Sequence, residues 1–277
     1  MNSENYIYKF LPPDRLSYFE DELLRITQPA DLNDPFECIP ILPTVEETIR
    51  LLEGIHNKQI IQIKESRLLK SEKKEKLLLL ERTIKSEITS IRKNIKSNMR
   101  DKFRSYATNR INEIVGILSL SRRWDSSLMW SHYSNSHKGF CLGFSSKASY
   151  FSDYKDNAAG DILFRPVKYS DLRIKAAVSS DEKFDSALLI TKPKDWEYEE
   201  EERLLVRLTR ANKIIKNSPF DIFLFKVPHY LLKEIILGKN ISETIAKKIK
   251  DYCTGKDIKI FQSQIDEYKF DMTRTEI

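Results

Sequence analysis

The sequence predicts an α+β fold, in which a mixed, mostly antiparallel sheet carries a long basic helical hairpin as an insertion. Strand-like runs outnumber helices in the segments that flank the hairpin. Short helices interrupt these runs irregularly, which disfavours the regular alternation of a doubly wound parallel sheet. Residues 45–110 differ from both flanks in periodicity and in charge. We therefore assign residues 1–44 and 111–277 to the α+β core and residues 45–110 to a helical insertion.

The first predicted elements are a strand, a helix and a turn. Residues 6–10 are rich in aromatic and β-branched side chains, and Pro12 ends the run. Asp14 then stands where it can cap a helix over residues 15–24. Residues 33–37, Asn-Asp-Pro-Phe-Glu, have the composition of a turn, because Asn and Asp bond to nearby backbone and Pro fixes φ.

The insertion holds the basic charge of the protein. Residues 58–104 contain 15 Lys and Arg against 6 Asp and Glu, whereas the whole chain has a net charge of +6, so the rest is net negative. No Pro interrupts this segment, and an apolar stripe follows helical spacing. The stripe consists of Ile84, Ile88, Ile91, Ile95, Met99 and Phe103. Two long helices with a break near Ser71 are expected.

Three uses of this hairpin stay open. The first is a solvated insertion, whose lysines provide solubility and i,i+4 ion pairs such as Glu81 with Lys85. The second is a surface that binds a polyanion such as a nucleic acid. The third is a surface that binds a protein partner. The side chains expected to contact a nucleic acid are Lys85, Arg92, Lys93 and Lys96.

Strand-like runs follow the hairpin in close succession. They are residues 114–121, 139–144, 162–164, 167–169, 203–208, 222–227 and 258–261. Residues 230–236 predict a short helix that leads into a strand at 235–238. Ser242 is expected to cap a helix that runs to Tyr252 and ends before Gly255.

Several chemistries are disfavoured by what the sequence lacks. It has no G-x-x-x-x-G-K-[ST] loop and no dinucleotide fingerprint among its seven glycines. ATP-driven and Rossmann-type redox functions are therefore disfavoured. No metalloprotease or paired-cysteine motif is present, and the spacing of His132, His137 and Cys141 does not favour zinc.

The cellular location is predicted from two further patterns. Three widely spaced cysteines do not form a disulfide framework, and the N-terminus has no basic start followed by an apolar region. No apolar run approaches the roughly 20 residues of a membrane helix. We expect a cytoplasmic protein that does not cross a membrane.

Three short motifs combine aromatic, acidic and hydrogen-bonding side chains. They are residues 33–37, the Trp-Ser-His-Tyr of residues 130–133 with the following 137–144, and the Trp-Glu-Tyr-Glu-Glu-Glu-Glu-Arg of residues 196–203. With Tyr8-Lys9-Phe10 ahead of them, their order resembles an uncharacterised bacterial family, domain of unknown function 2971. The resemblance covers nearly the whole chain except residues 45–110, and the family name implies no activity.

The acidic part of the third motif resembles a second family as well. Glu199 and Glu201, written E-x-E before a strand, look like the acidic motif of ADP-ribosyltransferases. In a strand, residues two apart point to the same side. The resemblance implies an ADP-ribosyltransferase-like sheet and NAD as a substrate. One carboxylate would stabilise an oxocarbenium-like transition state as nicotinamide leaves, and the other would orient or deprotonate the acceptor.

The same resemblance implies roles for the other motif residues. Tyr133 and His132 join the two glutamates as catalytic candidates, and aromatic side chains would stack on nicotinamide while Lys9 or Arg203 pairs with the diphosphate. The residues expected to bind NAD are Tyr8, Lys9, Asn33, Asp34, Phe36, Trp130 and Arg203. In this hypothesis the acceptor is a nucleic acid and the protein acts as a toxin or antiphage effector. An inhibitory protein partner would then restrain its activity.

Two hypotheses from other classes compete with it. A metal-dependent nuclease would use Asp34, Glu37, Glu199 and Glu201 to bind Mg²⁺ through carboxylate oxygens. A non-catalytic module would bind nucleic acid or a partner protein through the hairpin alone.

Overall fold

The computed structural model describes residues 6–94, 105, 108–146, 149–152, 162–174 and 186–277. The chain divides into two compact units. The first contains Met1–Glu37, Ile111–Leu172 and Leu189–Ile277, and the second contains Cys38–Arg110 and Arg173–Leu188. Among the described residues, no helix combines the length and the hydropathy that a membrane crossing requires.

The strands are short and the helices vary widely in length. The strands are β1 (Tyr6–Leu11), β2 (Leu23–Ile26), β3 (Val115–Ser121), β4 (Phe140–Ser145), β5 (Ile162–Pro166), β6 (Lys168–Ser170), β7 (Thr191–Pro193), β8 (Glu201–Arg207), β9 (Lys213–Ile215), β10 (Ile222–Lys226), β11 (Leu232–Leu237), β12 (Lys259–Ile265) and β13 (Met272–Glu276). The helices are α1 (Tyr18–Asp21), α2 (Val45–Glu65), α3 (Lys70–Asn94), α4 (108–114), α5 (Ser127–Tyr133), α6 (Ser149–Ser152), α7 (Ser186–Leu189) and α8 (Glu243–Cys253).

One eight-stranded sheet organises the first unit. Its strand order is β13-β12-β11-β4-β1-β3-β8-β5, and every neighbouring pair is antiparallel except β11 with β12. A three-stranded sheet, β2-β10-β9, and a parallel pair, β6-β7, accompany it. The prediction of an α+β fold with a mostly antiparallel sheet is therefore confirmed.

The two faces of the large sheet are covered differently. Because side chains alternate along a strand, Ile7 and Leu142 face one side, where α8 and the three-stranded sheet supply the rest of a large apolar core. Tyr8 and Phe10 face the other side, where they pack with Trp130 of α5. Glu201 and Arg203 of β8 lie on this second face as well.

Several predicted elements are confirmed. Strands occupy the runs expected at residues 6–10, 114–121 and 139–144, within one or two residues at each end. Helix α8 begins after Ser242, whose hydroxyl accepts the N–H of Ile245 at 3.4 Å.

The predicted helix over residues 15–24 is wrong. The chain forms a 3-10 turn (Pro13–Arg15) without a side-chain cap from Asp14, then the single turn α1, and then strand β2. Glu22 ends α1 because its backbone is left-handed, with φ 60°. The alternating burial of β2 then follows a period of two, which a helical interpretation of this short segment missed.

The predicted helix over residues 230–236 is also wrong. His229–Leu231 form a 3-10 turn, and β11 follows directly. Strand β11 lies between β4 and β12, and its last three residues, Ile235, Ile236 and Leu237, are completely buried, so the apolar residues there run without alternation. Such a run does not distinguish a buried strand from a buried helix by periodicity.

The second unit contains the expected helical hairpin. Helix α2 begins with a capping box, in which the Thr44 hydroxyl accepts the N–H of Glu47 at 3.1 Å and the Glu47 carboxylate accepts the N–H of Thr44 at 2.9 Å. The helices separate at residues 66–69, slightly before the break expected near Ser71. His56 of α2 contacts Glu87 of α3 at 2.9 Å.

The hairpin residues expected to contact nucleic acid are exposed where the structure describes them. Lys85 pairs with Glu81 at 3.0 Å on the surface of α3, and Arg92 and Lys93 are exposed near its end. Lys96 and the last stripe residues Ile95, Met99 and Phe103 lie outside the described residues.

Candidate active site

A gap in the large sheet positions the candidate site. Strand β3 pairs with β1 at Ser121 and Tyr8, but four residues earlier Ile117 pairs with Thr27 instead. Between these two pairs, the carbonyl of Ser119 accepts a hydrogen bond from the Lys9 ammonium at 2.9 Å. The edge of β3 therefore changes neighbours at Ser119, and the separation of the two neighbours leaves room for a cavity.

The cavity has a volume of about 220 Å³ and is lined mostly by polar side chains. Its lining includes Lys9, Asn33, Glu37, Tyr133, Lys192 and Glu199. Pockets for small molecules usually measure roughly 300–1,000 Å³. The cavity is therefore large enough for one part of a ligand such as NAD, and the remainder of a molecule of that size would extend beyond it.

Lys192 is the central cation of a buried charged cluster at this cavity. Its ammonium lies 2.6 Å from Glu199 Oε2, 3.1 Å from Glu37 Oε1 and 3.3 Å from Glu201 Oε2. The ring of Trp196 covers it, with the centroid 4.7 Å from Nζ. A single lysine thus binds three carboxylates, each of them almost completely buried.

Arg203 is the second cation of the cluster. Its Nε and Nη2 donate to Glu201 at 2.8 and 3.0 Å, and Nη2 also donates to Glu37. Its Nη1 donates to the carbonyl of Leu189 at 2.7 Å. Because the guanidinium forms a fork of fixed geometry, these contacts fix the Glu201 carboxylate in one orientation.

The two glutamates of the third motif differ in proton affinity. Burial alone would raise both pKa values, and it does raise the pKa of Glu199, together with the neighbouring charge of Glu201. For Glu201, Arg203 and Lys192 outweigh burial and lower the pKa to about 2. Two adjacent carboxyls with divergent pKa values are typical of acid–base sites.

Tyr133 connects the cluster to the cavity wall. Its hydroxyl donates to Glu199 Oε1 at 2.6 Å and accepts from the Asn33 amide at 3.1 Å. Burial and the nearby charge of Glu199 raise the pKa of Tyr133, so the phenol stays protonated and can donate. Glu199 therefore has one oxygen bound to a phenol and the other to an ammonium.

Lys9 lines the same cavity as Glu199 and Glu201 and has an unusual pKa for a lysine. Desolvation lowers the pKa to about 8, although the charges of Glu201 and Glu199 act in the other direction. Within the described residues Lys9 has no carboxylate within ion-pair distance, and its ammonium is held by the Ser119 carbonyl. It is therefore a cation available to an anionic ligand in the cavity.

Local backbone geometry brings Glu199 and Glu201 together by a route that the sequence did not predict. Glu199 ends a 3-10 turn (Lys194–Glu199), Glu200 is left-handed with φ 44°, and Glu201 begins β8. The expectation that both lie in one strand is wrong, yet their carboxylates meet at Lys192. Glu200 is turned toward Arg123, and Glu202 lies on the opposite face of β8 near Arg122.

The structure brings most of the predicted site residues to the cavity. Those that line it are Tyr8, Lys9, Asn33, Tyr133, Glu199, Glu201 and Arg203. Neither His132 nor Phe36 lines the cavity: His132 is exposed, with its ring 6.2 Å from that of Trp196, and Phe36 is 59 % exposed. Asp34 is buried and accepts the N–H of Phe36, which makes it a turn residue.

Two predicted contacts with a ligand are contradicted by the structure. Trp130 is completely buried, with its indole N–H bound to the Trp124 carbonyl and its ring edge-on to Phe10, so no face is free for nicotinamide. Arg203 is completely buried as well, and its donors are used by Glu37, Glu201 and Leu189. It therefore positions carboxylates instead of pairing with a diphosphate.

Sequence reasoning missed the central cation. Lys192 lies between Thr191 and Pro193, in no recognisable motif, and the sequence predicts Glu37 only as a Mg²⁺ ligand of the nuclease hypothesis. The one indirect signal was charge: three acidic motif residues need more than Arg203 to be buried together. In the described residues no group of His, Cys, Asp and Glu is arranged to hold a metal ion.

Comparison with protein-family models matches residues 129–204 to DUF2971, which is described as a protein of unknown function. This match includes the second and third motifs and supports the resemblance to this family that they predict. Comparisons with curated proteins and with solved structures gave no significant match.

Proposed function

We propose that this DUF2971 protein transfers ADP-ribose from NAD to an acceptor. The observation that supports the proposal is the buried pair Glu199 and Glu201, which line one cavity and differ in pKa. Cleavage of a glycosidic bond needs a fixed anion near the sugar and a second group that exchanges a proton. The pair supplies one group of each kind.

Glu201 is the fixed anion in this proposal. With its pKa lowered to about 2, it stays ionised at any physiological pH, and Arg203 prevents it from rotating. As the bond between the ribose C1′ and the nicotinamide nitrogen breaks, the electron pair leaves with nicotinamide and positive charge develops on the sugar. A preorganised carboxylate stabilises that charge without reorganisation.

Glu199 is the group that exchanges the proton. Its raised pKa brings its affinity for protons closer to that of an acceptor group, and Tyr133 and Lys192 hold the two oxygens in place. The acceptor forms a bond to C1′ as its proton passes to Glu199, so one bond to C1′ is lost and one is gained. The carboxylic acid of Glu199 then releases the proton to solvent and becomes a carboxylate again.

Charge and volume suggest how the two substrates bind. The cavity of about 220 Å³ accommodates the nicotinamide end of NAD, and Lys9 is the cation for the diphosphate. We propose a nucleic acid as the acceptor, because the hairpin concentrates positive charge and exposes Lys85, Arg92 and Lys93.

The ion pairs favour this function over a magnesium-dependent nuclease. Each of the three buried carboxylates already contacts Lys192, Arg203 or both. A divalent cation would have to displace these side chains or lie beside their positive charges, at a cost of several kcal/mol. Cleavage of the glycosidic bond of NAD does not require the carboxylates to leave their ion pairs with Lys192 and Arg203.

The direct test is release of nicotinamide from NAD. We expect the purified protein to release nicotinamide and to transfer an adenine-labelled ADP-ribose group to RNA or DNA in a mixture of nucleic acids and lysate protein. No release with any acceptor contradicts the proposal. Cleavage of the nucleic acid that depends on Mg²⁺ and stops with EDTA would instead support a nuclease.

The pKa of Lys9 predicts how NAD binding depends on pH. Below pH 8 the ammonium is charged and attracts the diphosphate, and above pH 8 the charge is lost. We expect the dissociation constant of NAD to be about 10- to 100-fold higher above pH 8 than below it, because one charge-assisted hydrogen bond contributes a free energy of this size. A titration on both sides of pH 8 measures it. Lys9→Met should bind weakly at both pH values, and an equal pH dependence in this variant would exclude Lys9 as the cause.

A further inference from the structure

The loop of residues 266–271, which joins β12 to β13, presents two aromatic side chains to solvent. Tyr268 is 92 % exposed and Phe270 is completely exposed. The loop is nevertheless ordered by its own hydrogen bonds: Asp266 Oδ1 accepts the N–H groups of Tyr268 and Lys269 at 2.8 and 2.9 Å, and the Asp266 N–H donates to the Asp271 carbonyl at 3.0 Å. Because the backbone is already fixed, docking this loop would cost little conformational entropy.

Neither ring stabilises the first unit, since exposed side chains bury no apolar area. Large exposed aromatic residues that lie together on an ordered loop are typical of interaction sites. The loop is also acidic, because Asp266, Glu267 and Asp271 outnumber its one lysine. The surface it fits therefore has an apolar depression and a basic rim.

The helical hairpin of the second unit has a surface of this kind. Next to the turn, α2 and α3 enclose an open groove of about 470 Å³ that is lined by Ile63, Leu68, Leu79 and Leu80, with Lys76 at its margin. Leu79 is 65 % exposed. Residues 64–76 contain six Lys and Arg against three Glu, so the turn end of the hairpin is net positive.

We propose that the 266–271 loop of one copy docks into the hairpin groove of a second copy of this chain. The charges favour this occupant over a second hairpin, because two hairpins packed against each other would bring positive ends together whereas the loop is negative. The contact joins different surfaces of the two copies, so it is heterologous. The groove of the first copy and the loop of the second copy stay free for further copies. The small loop makes the contact weak and concentration-dependent.

Two double variants test the proposal. Tyr268→Ser with Phe270→Ser alters only the loop, and Lys76→Glu with Leu79→Ser alters only the groove. All four side chains are exposed, so both proteins should fold, which circular dichroism checks. We expect the unmodified chain to associate as concentration rises in sedimentation velocity, and either variant alone to associate at least about 30-fold more weakly, as for hot-spot residues.

The mixture of the two variants is the decisive sample. The groove variant keeps an intact loop and the loop variant keeps an intact groove, so equimolar mixing should restore pairs of one copy of each and nothing larger. A monomeric wild-type chain overturns the proposal. So does a mixture that stays monomeric, or a groove variant that associates as well as wild type, which would show that the loop binds elsewhere.

Discussion

Replacing Glu199 by Gln is expected to lower the rate of nicotinamide release by about 10²- to 10⁴-fold, the usual contribution of a general acid or base. The amide keeps the shape of the side chain and one oxygen to accept from Tyr133 or Lys192, but it cannot take the acceptor's proton. We therefore expect a large loss of rate and only a small change in the thermal unfolding midpoint. The measurement is single-turnover release of nicotinamide at saturating NAD.

Glu200→Gln is the matched control for this prediction. Glu200 is the next residue and undergoes the same chemical change, but its half-exposed carboxylate is turned toward Arg123, 3.8 Å away, outside the buried cluster. We expect this variant to release nicotinamide at the wild-type rate. An equal loss of rate in both variants would mean that any change of charge in this segment slows nicotinamide release. That result would contradict the proton-transfer role of Glu199.

The sequence predicts the part of the site whose residues lie close together in the chain. The E-x-E spacing placed Glu199 and Glu201 together, because residues two apart approach each other in extended chain as well as across the left-handed Glu200 that the structure has. Lys192 lies seven residues before Glu199 and reaches it through a 3-10 turn, a relation that no periodicity expresses.

The fold shows the same limit. Strand β1 and the Ser242-capped helix α8 follow from local chemistry, so both were predicted. Only the second half of strand β11 was predicted, because the pairing of its first half with β4 depends on neighbours distant in sequence. Trp130 was misjudged for a related reason: a tryptophan in a polar motif can bind a ligand or fill a core, and only the contacts with Phe10 and the Trp124 carbonyl decide between them.

The largest effect on stability is expected from Lys192→Met. Removal of the ammonium leaves Glu37, Glu199 and Glu201 buried with Arg203 as the remaining cation of the cluster. Breaking a buried ion pair by removal of one partner costs about 3–5 kcal/mol, because the other charge stays uncompensated. We expect the free energy of unfolding in urea to fall by this amount at neutral pH. Lys194→Met is the control: its ion pair with Asp171 is exposed, and stability should not change.

The pH dependence distinguishes lost charge from lost packing in this variant. Without the charge of Lys192, the folded-state pKa values of Glu199 and Glu201 rise, so protonation of these two carboxyls at low pH costs the variant less stability than it costs the wild type. In the wild type the pKa of Glu201 is lowered to about 2, so its contribution is lost only as pH falls toward that value. The deficit of Lys192→Met relative to wild type should therefore shrink as the pH falls from 7 toward 4. A deficit that stays constant with pH would assign the loss to packing against Trp196, and the buried glutamates would then not depend on Lys192 for their charge.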